Sequence, residues 1–199
     1  MRILAIDAGN SRIKWGVHED GSWLAQGWVK TAQAGRIGRE WAALAPPDAA
    51  FAANVAGPRV ARALAVAARR FKRRVRFVKS AAAQCGVKSA YSDPARLGPD
   101  RWAALIAARH HHRGPCLVVN AGTTLTADAI ESGAVNALAG AIERMLRFMR
   151  EAGQAEPLTL LSGGAAHLVA PQLNGAVEVV DNLVLEGVVR IALSTKSDP

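Results

Sequence analysis

Residues 3–14 read Ile-Leu-Ala-Ile-Asp-Ala-Gly-Asn-Ser-Arg-Ile-Lys. Ile3 to Ile6 form an aliphatic run of the kind a buried strand needs. The run ends on Asp7 and a turn-like stretch with Gly9, Asn10 and Ser11. Packing gains nothing from a carboxylate at the tip of a buried strand, so Asp7 points to chemistry. Residues 117–126, Leu-Val-Val-Asn-Ala-Gly-Thr-Thr-Leu-Thr, repeat the arrangement with Asn120 where Asp7 stood. A repeat of this kind predicts two related lobes, each a mixed sheet with helices, and a cleft between them that suits a small-molecule site.

Working outward, Ile13–Val17 and Trp23–Val29 read as two further strands. Asp20-Gly21 marks the turn between them, and three consecutive antiparallel strands follow. A helix is predicted over Ile37–Leu44, ending before Pro46-Pro47, and a short strand over Phe51–Val55. Pro58 sits where a helix through about Arg70 would have its first turn. Val75–Val78 reads as a strand, and Ser80–Leu97 as loop-rich. Gly98-Pro99-Asp100-Arg101 leads into a strong helix former, Trp102–Arg109. Cys116–Val119 is a second central strand, with Leu125–Ile130 as its partner. Then come a helix over Val135–Glu151, strands at Leu158–Leu161 and Val177–Val180, and a last helix over Leu183–Leu193. Strands come first in each half and helices then alternate with strands. This is an α/β pattern, with lobes at 1–115 and 116–199.

With 199 residues, half of them apolar, the chain can bury a sizeable core. No apolar run is long enough to span a bilayer, and the start carries no signal-peptide pattern. Cys85 and Cys116 lack metal-site spacing and read as lone buried thiols in a reducing, cytoplasmic setting. His18 stands alone. His110, His111 and His112 point in different directions on a helix and cannot share one ion. The formal charge is +9, with the densest basic cluster at residues 69–76. Basic residues near a helix C-terminus complement its dipole, so a solvated face is preferred and no nucleic-acid partner is expected.

The two turns suit a polyphosphate. Glycine lets backbone approach a bulky anion, and N–H groups then face it. Asn10, Ser11, Thr123, Thr124 and Thr126 add side-chain donors. Asp7 can hold Mg²⁺, since a hard cation prefers carboxylate oxygen. Arg12 and Lys14 lie on one face of the outgoing strand, and one of them can reach phosphates. A single such turn is also what an ordinary hairpin looks like; two at matching places could clamp one polyphosphate. Ser162-Gly163-Gly164 ends a strand before a helical stretch, a candidate adenosine contact. Asp100 falls in the first turn of a helix, fixed locally by Pro99. It either orients an attacking hydroxyl beside a phosphate or simply caps the helix. Arg101 beside it can donate two hydrogen bonds to a carboxylate or phosphate.

Asp7-Ala8-Gly9-Asn10-Ser11-Arg12-Ile13-Lys14, Gly98-Pro99-Asp100-Arg101, residues 120–126, Leu161-Ser162-Gly163-Gly164 and residues 181–187 together resemble type III pantothenate kinase. That family belongs to the sugar kinase/Hsp70/actin superfamily. The resemblance implies two duplicated ribonuclease-H-like lobes and ATP-dependent phosphorylation of pantothenate, the first step of coenzyme A synthesis. It implies a homodimer with the substrate site near its interface. By position, Asp7 to Lys14 and Thr123 would bind ATP, and Asp100 would accept the proton. Tyr91, Gly98, Pro99, Asp100 and Arg101 would contact pantothenate, with Arg101 on its carboxylate. The family holds a monovalent cation, potassium or ammonium, with an aspartate at the position of Asn120; an amide oxygen is a weaker ligand. A family stretch, Gly-Gly-x-Ile-x-Pro-Gly, and a long helical segment are absent after Ile130. Either residues are left out there or the chain is truncated. The helix after Ser132-Gly133 resumes the family pattern, which favours the former. The alternative readings are a nucleotide-binding regulator like the Bvg accessory factor, without kinase turnover, and a sugar or acyl-group kinase on the same scaffold.

Overall fold

The computed structural model describes residues 1–120 and 131–195; Thr123, Thr124, Thr126 and the strand expected over 125–130 lie outside them. In chain order the elements are β1 (Ile3–Ala8), β2 (Arg12–Glu19), β3 (Ser22–Lys30), α1 (Ile37–Glu40), β4 (Ala49–Asn54), α2 (Pro58–Ala68), β5 (Val75–Phe77), β6 (Ala83–Gln84), β7 (Val87–Lys88), α3 (Pro99–His111), β8 (Cys116–Asn120), α4 (Glu131–Glu151), β9 (Leu158–Ser162), α5 (Ala166–Val169), β10 (Val177–Val179) and α6 (Leu183–Ser194). They fall into two compact units, Met1–Ala107 with Val184–Pro199, and Ala108–Leu183.

The first unit is built on a five-stranded sheet in the order β3-β2-β1-β4-β5. The meander β1-β2-β3 is antiparallel, as its short links dictate. Asp20 and Gly21 both carry positive φ, 48° and 86°. That is the turn whose twist matches a two-residue hairpin. Strands β4 and β5 run parallel to β1 and so need crossovers. A 3-10 segment, Thr31–Arg36, and α1 supply the first; α2, opened by Pro58, supplies the second. Leu4, Ile6, Ile13, Trp15, Ala50 and Ala52 pack on one face of the sheet under Ile37, Trp41, Leu64 and Phe71. Ile3 and Ala5, on the other face, are also fully buried. A central strand covered on both sides must be apolar at every position, which is why residues 3–6 show no alternation.

Helices α3 and α6 meet backbone to backbone. A Cβ added to Gly187 would lie 1.8 Å from the carbonyl oxygen of Ala103. Trp102, fully buried beside that contact, donates its indole N–H to Gln84 Oε1 at 3.0 Å.

The second unit holds three parallel strands in the order β10-β9-β8. Leu117, Val119 and Leu161 pack against Val135, Ile142 and Leu146 of α4. This trio has the order and direction of β1-β4-β5. In the first unit, residues 9–30 between the first strand and the crossover hold β2 and β3. In the second unit residues 121–130 separate β8 from α4.

Local departures from expectation have local causes. The helix expected over 37–44 is a single α-turn, Ile37–Glu40; beyond Trp41 the backbone tightens, the Ala42 and Leu44 N–H groups donating three residues back to the Arg39 and Trp41 carbonyls. The loop-rich 80–97 stretch contains the small hairpin β6–β7, turned by Cys85 and Gly86 at φ 49° and 77°. Cys85 and Cys116 are free thiols but only partly buried. Among the described residues no helix is long and apolar enough to cross a membrane.

Gly187→Ala should destabilise the chain by about 3 kcal/mol, since the α3 backbone has nowhere to retreat. Gly140→Ala on α4, where an added Cβ meets nothing within 4 Å, should stabilise by up to about 1 kcal/mol. Urea midpoints of the two variants check the contrast.

Candidate functional site

Asp7 is the fifth residue of β1, paired across the sheet with Lys14 of β2 on one side and Ala53 of β4 on the other. Cross-strand partners share a face, so the Lys14 ammonium and the Asp7 carboxylate project together. Burial pushes the Asp7 carboxyl up from 3.8 to about 6; Lys14 opposes the shift and the charge of Asp100 adds to it. The carboxylate has no hydrogen-bond partner among the described residues. A carboxylate deprived of water, set near a second carboxylate and incompletely matched by one lysine, suits a hard cation.

The turn that follows is closed by the Gly9 N–H donating to the Arg12 carbonyl at 3.1 Å. Gly9 is not needed there for a positive φ. Nor does crowding require it, since a Cβ would lie 3.4 Å from the Arg12 carbonyl oxygen, an ordinary contact. Asn10 and Ser11 are exposed, and their N–H groups and side-chain donors have no partner among the described residues. That leaves a row of free donors beside Asp7. Arg12 is drawn elsewhere: its guanidinium lies 4.5 Å from the ring centre of Trp28. Of the two cations on this face of β2, Lys14 is thus the one opposite Asp7.

Asp100 reaches the same edge of the first unit from α3. Pro99 begins that helix, and Trp102 N–H closes its first turn on the Gly98 carbonyl at 2.9 Å. The Asp100 carboxylate folds back over Gly98, within 2.6 Å of where a Cβ would stand; the same point is 3.8 Å from Val55 Cγ1. Val55 follows β4, and its N–H donates to the Ala8 carbonyl at 3.0 Å. Asp7, Val55, Gly98 and Asp100 are therefore gathered at the C-terminal ends of two parallel strands, the usual ligand edge of such sheets. Arg101 is exposed. Tyr91 is 44% exposed on the connection before α3, and its hydroxyl makes no hydrogen bond among the described residues.

In the second unit Asn120 ends β8 opposite Ser162, the last residue of β9. Gly163 follows with φ 104°, a conformation side chains rarely adopt, and a Cβ on Gly164 would meet nothing within 4 Å. The helix beyond them, α5, has only four residues. Thr123, with the rest of its turn, is outside the described residues.

Two further residues, not singled out from the sequence, shape this edge. Asn54 fixes the loop after β4, its amide donating to Gly57 and accepting from the Ala56 N–H, each at 3.1 Å. Thr31 contacts the Gly9–Ser11 turn from the end of β3. Asn54 is the last residue of β4 and stands before Gly57-Pro58, a place where an amide-capped turn is common.

The family model described as type III pantothenate kinase matches residues 3–142. A type III pantothenate kinase of Nitrosospira multiformis is 37% identical over 240 residues, covering 97% of this chain and 92% of that protein. One from Aromatoleum aromaticum is 38% identical over 237 residues, covering 96% and 97%. Both alignments exceed the 199 residues of this chain, so each relative carries internal residues with no counterpart here. Among solved structures, a polyphosphate/ATP-glucomannokinase from Arthrobacter sp. strain KM matches with a TM-score of 0.56 at 15% identity, covering 97% of this chain and 99% of that one. At that identity the likeness is one of fold alone. The fold is α/β, as the order of strands and helices predicts, and matches that of a sugar kinase, as the family resemblance implies.

The Asp7 shift sets a sign for stability. The folded carboxyl, near 6, keeps a proton that the unfolded chain releases near 3.8. This contribution is full below the unfolded value and is lost as pH rises through the folded one. Asp7→Asn should therefore stabilise the chain at pH 8, on the order of 2 kcal/mol, with the gain vanishing below pH 3.8. Urea denaturation across that range without divalent metal measures it.

Proposed function

The chain belongs to the type III pantothenate kinase family, and we propose that it transfers the terminal phosphoryl group of ATP to the primary hydroxyl of pantothenate, the first step of coenzyme A synthesis. The observation that carries this reading is the meeting of Asp7, the free donors of Asn10 and Ser11, and Asp100 at one edge of the first unit's sheet. The two carboxylates and a donor-rich turn are what phosphoryl transfer needs: charge stabilisation, and a group to aim the acceptor.

In this reading Ala8, Gly9, Asn10, Ser11, Arg12 and Ile13 form the phosphate turn, and Lys14 supplies positive charge opposite Asp7. Asp7 would hold Mg²⁺, which neutralises phosphate charge. Thr123, Gly163 and Gly164, in the second repeat, are the further ATP-binding residues of this reading, taking the repeats as 1–115 and 116–199. Arg101 would pair with the pantothenate carboxylate, and Tyr91, Gly98 and Pro99 would shape the rest of the pocket. Asp100 orients the hydroxyl and receives its proton. The new oxygen–phosphorus bond forms as the bond from the terminal phosphorus to ADP breaks. Asn120 marks the place of a potassium or ammonium ion, for which it offers one neutral oxygen. A cytoplasmic location suits both substrates.

The homodimer is part of the same proposal. Helix α4 buries Ile142 and Leu146 in its own unit, yet Met145 and Phe148 are 49% and 52% exposed on another face. Ala137 and Ala141 continue that face at helical spacing, exposed as well. A second copy of α4 is the occupant proposed for it. The basic cluster does not favour the regulatory alternative: Arg70 donates to the Trp41 and Ala42 carbonyls, and Arg73 to those of Pro47 and Asp48, so both serve the fold.

Asp100→Asn should lower kcat at least a hundredfold, with KM for ATP changed by less than about threefold, in an ADP-release assay with pantothenate. Turnover retained by Asp100→Asn, or a wild-type chain as active on acetate or hexoses, would overturn the assignment. Met145→Glu with Phe148→Glu should shift the chain from dimer to monomer by light scattering, leaving its circular dichroism unchanged.

A further inference from the structure

We infer that Thr31 is the positioning residue that holds the phosphate turn in its anion-binding form. The inference rests on the reading of the Gly9–Ser11 turn as the place where ATP phosphates bind.

Thr31 follows β3 and opens the 3-10 segment Thr31–Arg36. It contacts the turn twice. Its N–H donates to the Ser11 carbonyl at 3.0 Å, and its Oγ1 donates to the Gly9 carbonyl at 2.7 Å. One residue, reached only after the whole β2–β3 hairpin, thus gathers two of the turn's carbonyl oxygens.

The consequence follows from peptide geometry. A trans peptide sets each carbonyl opposite the N–H of the next residue. With the Gly9 carbonyl pulled toward Thr31, the Asn10 N–H faces the other way. The turn then presents donors outward and keeps its oxygens back, which is the polarity a phosphate requires. Released, the same peptide could rotate and offer its oxygen to the anion. Asn10 and Ser11 are exposed and have no other partner among the described residues to prevent this. Thr31 is itself well placed to hold. Lys30 before it pairs with Arg12, and Ala34 and Ile37 just beyond it are buried in the first unit's core.

Only the hydroxyl contact can be removed by a side-chain change, because the backbone N–H stays. Thr31→Val deletes the donor while keeping the branched shape, and Thr31→Ser restores it. Titration calorimetry with MgATP, in parallel with thermal melting, is the measurement. Thr31→Val should weaken MgATP binding about three- to tenfold, the worth of one partly buried hydrogen bond. Thr31→Ser should bind like the wild type, and Ser11→Ala should also weaken binding. If Thr31→Val does not fold, Thr31→Ala removes the same donor. Unchanged binding by Thr31→Val while Ser11→Ala is impaired would overturn the role of Thr31 and leave the turn's role standing. Equal impairment of Thr31→Ser and Thr31→Val would also overturn it. If the wild type does not bind MgATP, or Ser11→Ala and Asp7→Asn both bind it normally, the reading of the turn fails and the inference with it.

Discussion

Everything functional in the first unit depends on placing a carboxylate on a strand that is otherwise sealed from water. β1 is paired on both edges and covered on both faces. Ending such a strand on Asp7 is unfavourable in isolation, because the charged form loses its hydration. Lys14 offsets part of that loss and Asp100 worsens it. The fold tolerates the conflict because the strand's aliphatic residues bring far more burial than the carboxylate removes. Conflict of this kind, localised at the edge of a sheet beside donors with no partner among the described residues, is what supports the proposal that this edge takes a charged ligand.

The parts of that site are held from a distance. The turn after β1 is held by Thr31, at the far end of β3. Asp100 rides on α3, which is fixed from behind by Trp102 bonding to Gln84 and by Gly187 of α6 seated on Ala103. The position of one carboxylate therefore depends on a glycine 87 residues later in the chain. A close helix–helix contact serves this purpose better than a flexible side chain, because backbone cannot change rotamer.

The two units share a parallel trio of strands but not its surroundings. β1 is flanked by the β2–β3 hairpin, and its aliphatic residues are fully buried. In β8 the corresponding residues, Leu117, Val118 and Val119, are only partly buried. The relatives' alignments, longer than this chain, show internal residues of those proteins with no counterpart in it.

What the sequence determined by itself was whatever depends on neighbours in the chain. The unbroken aliphatic run of β1, the Asp20-Gly21 hairpin, Pro58 at the start of α2, and Gly98-Pro99 before Asp100 all act over a few residues. Each was legible for that reason, as was the repeat that predicts the fold class. The helix expected over 37–44 ends at Glu40, because the turns beyond it close on the Arg39 and Trp41 carbonyls three residues back, a choice that apolar spacing alone does not reveal. Only the strand register decided that Lys14 rather than Arg12 stands opposite Asp7, while Arg12 lies over Trp28 across the hairpin. Only the tertiary structure revealed Thr31 and Gly187, whose partners lie on other elements. A hydrogen bond or a backbone contact between distant residues leaves no periodicity and no local composition behind. It exists only once the sheet has brought the two ends together.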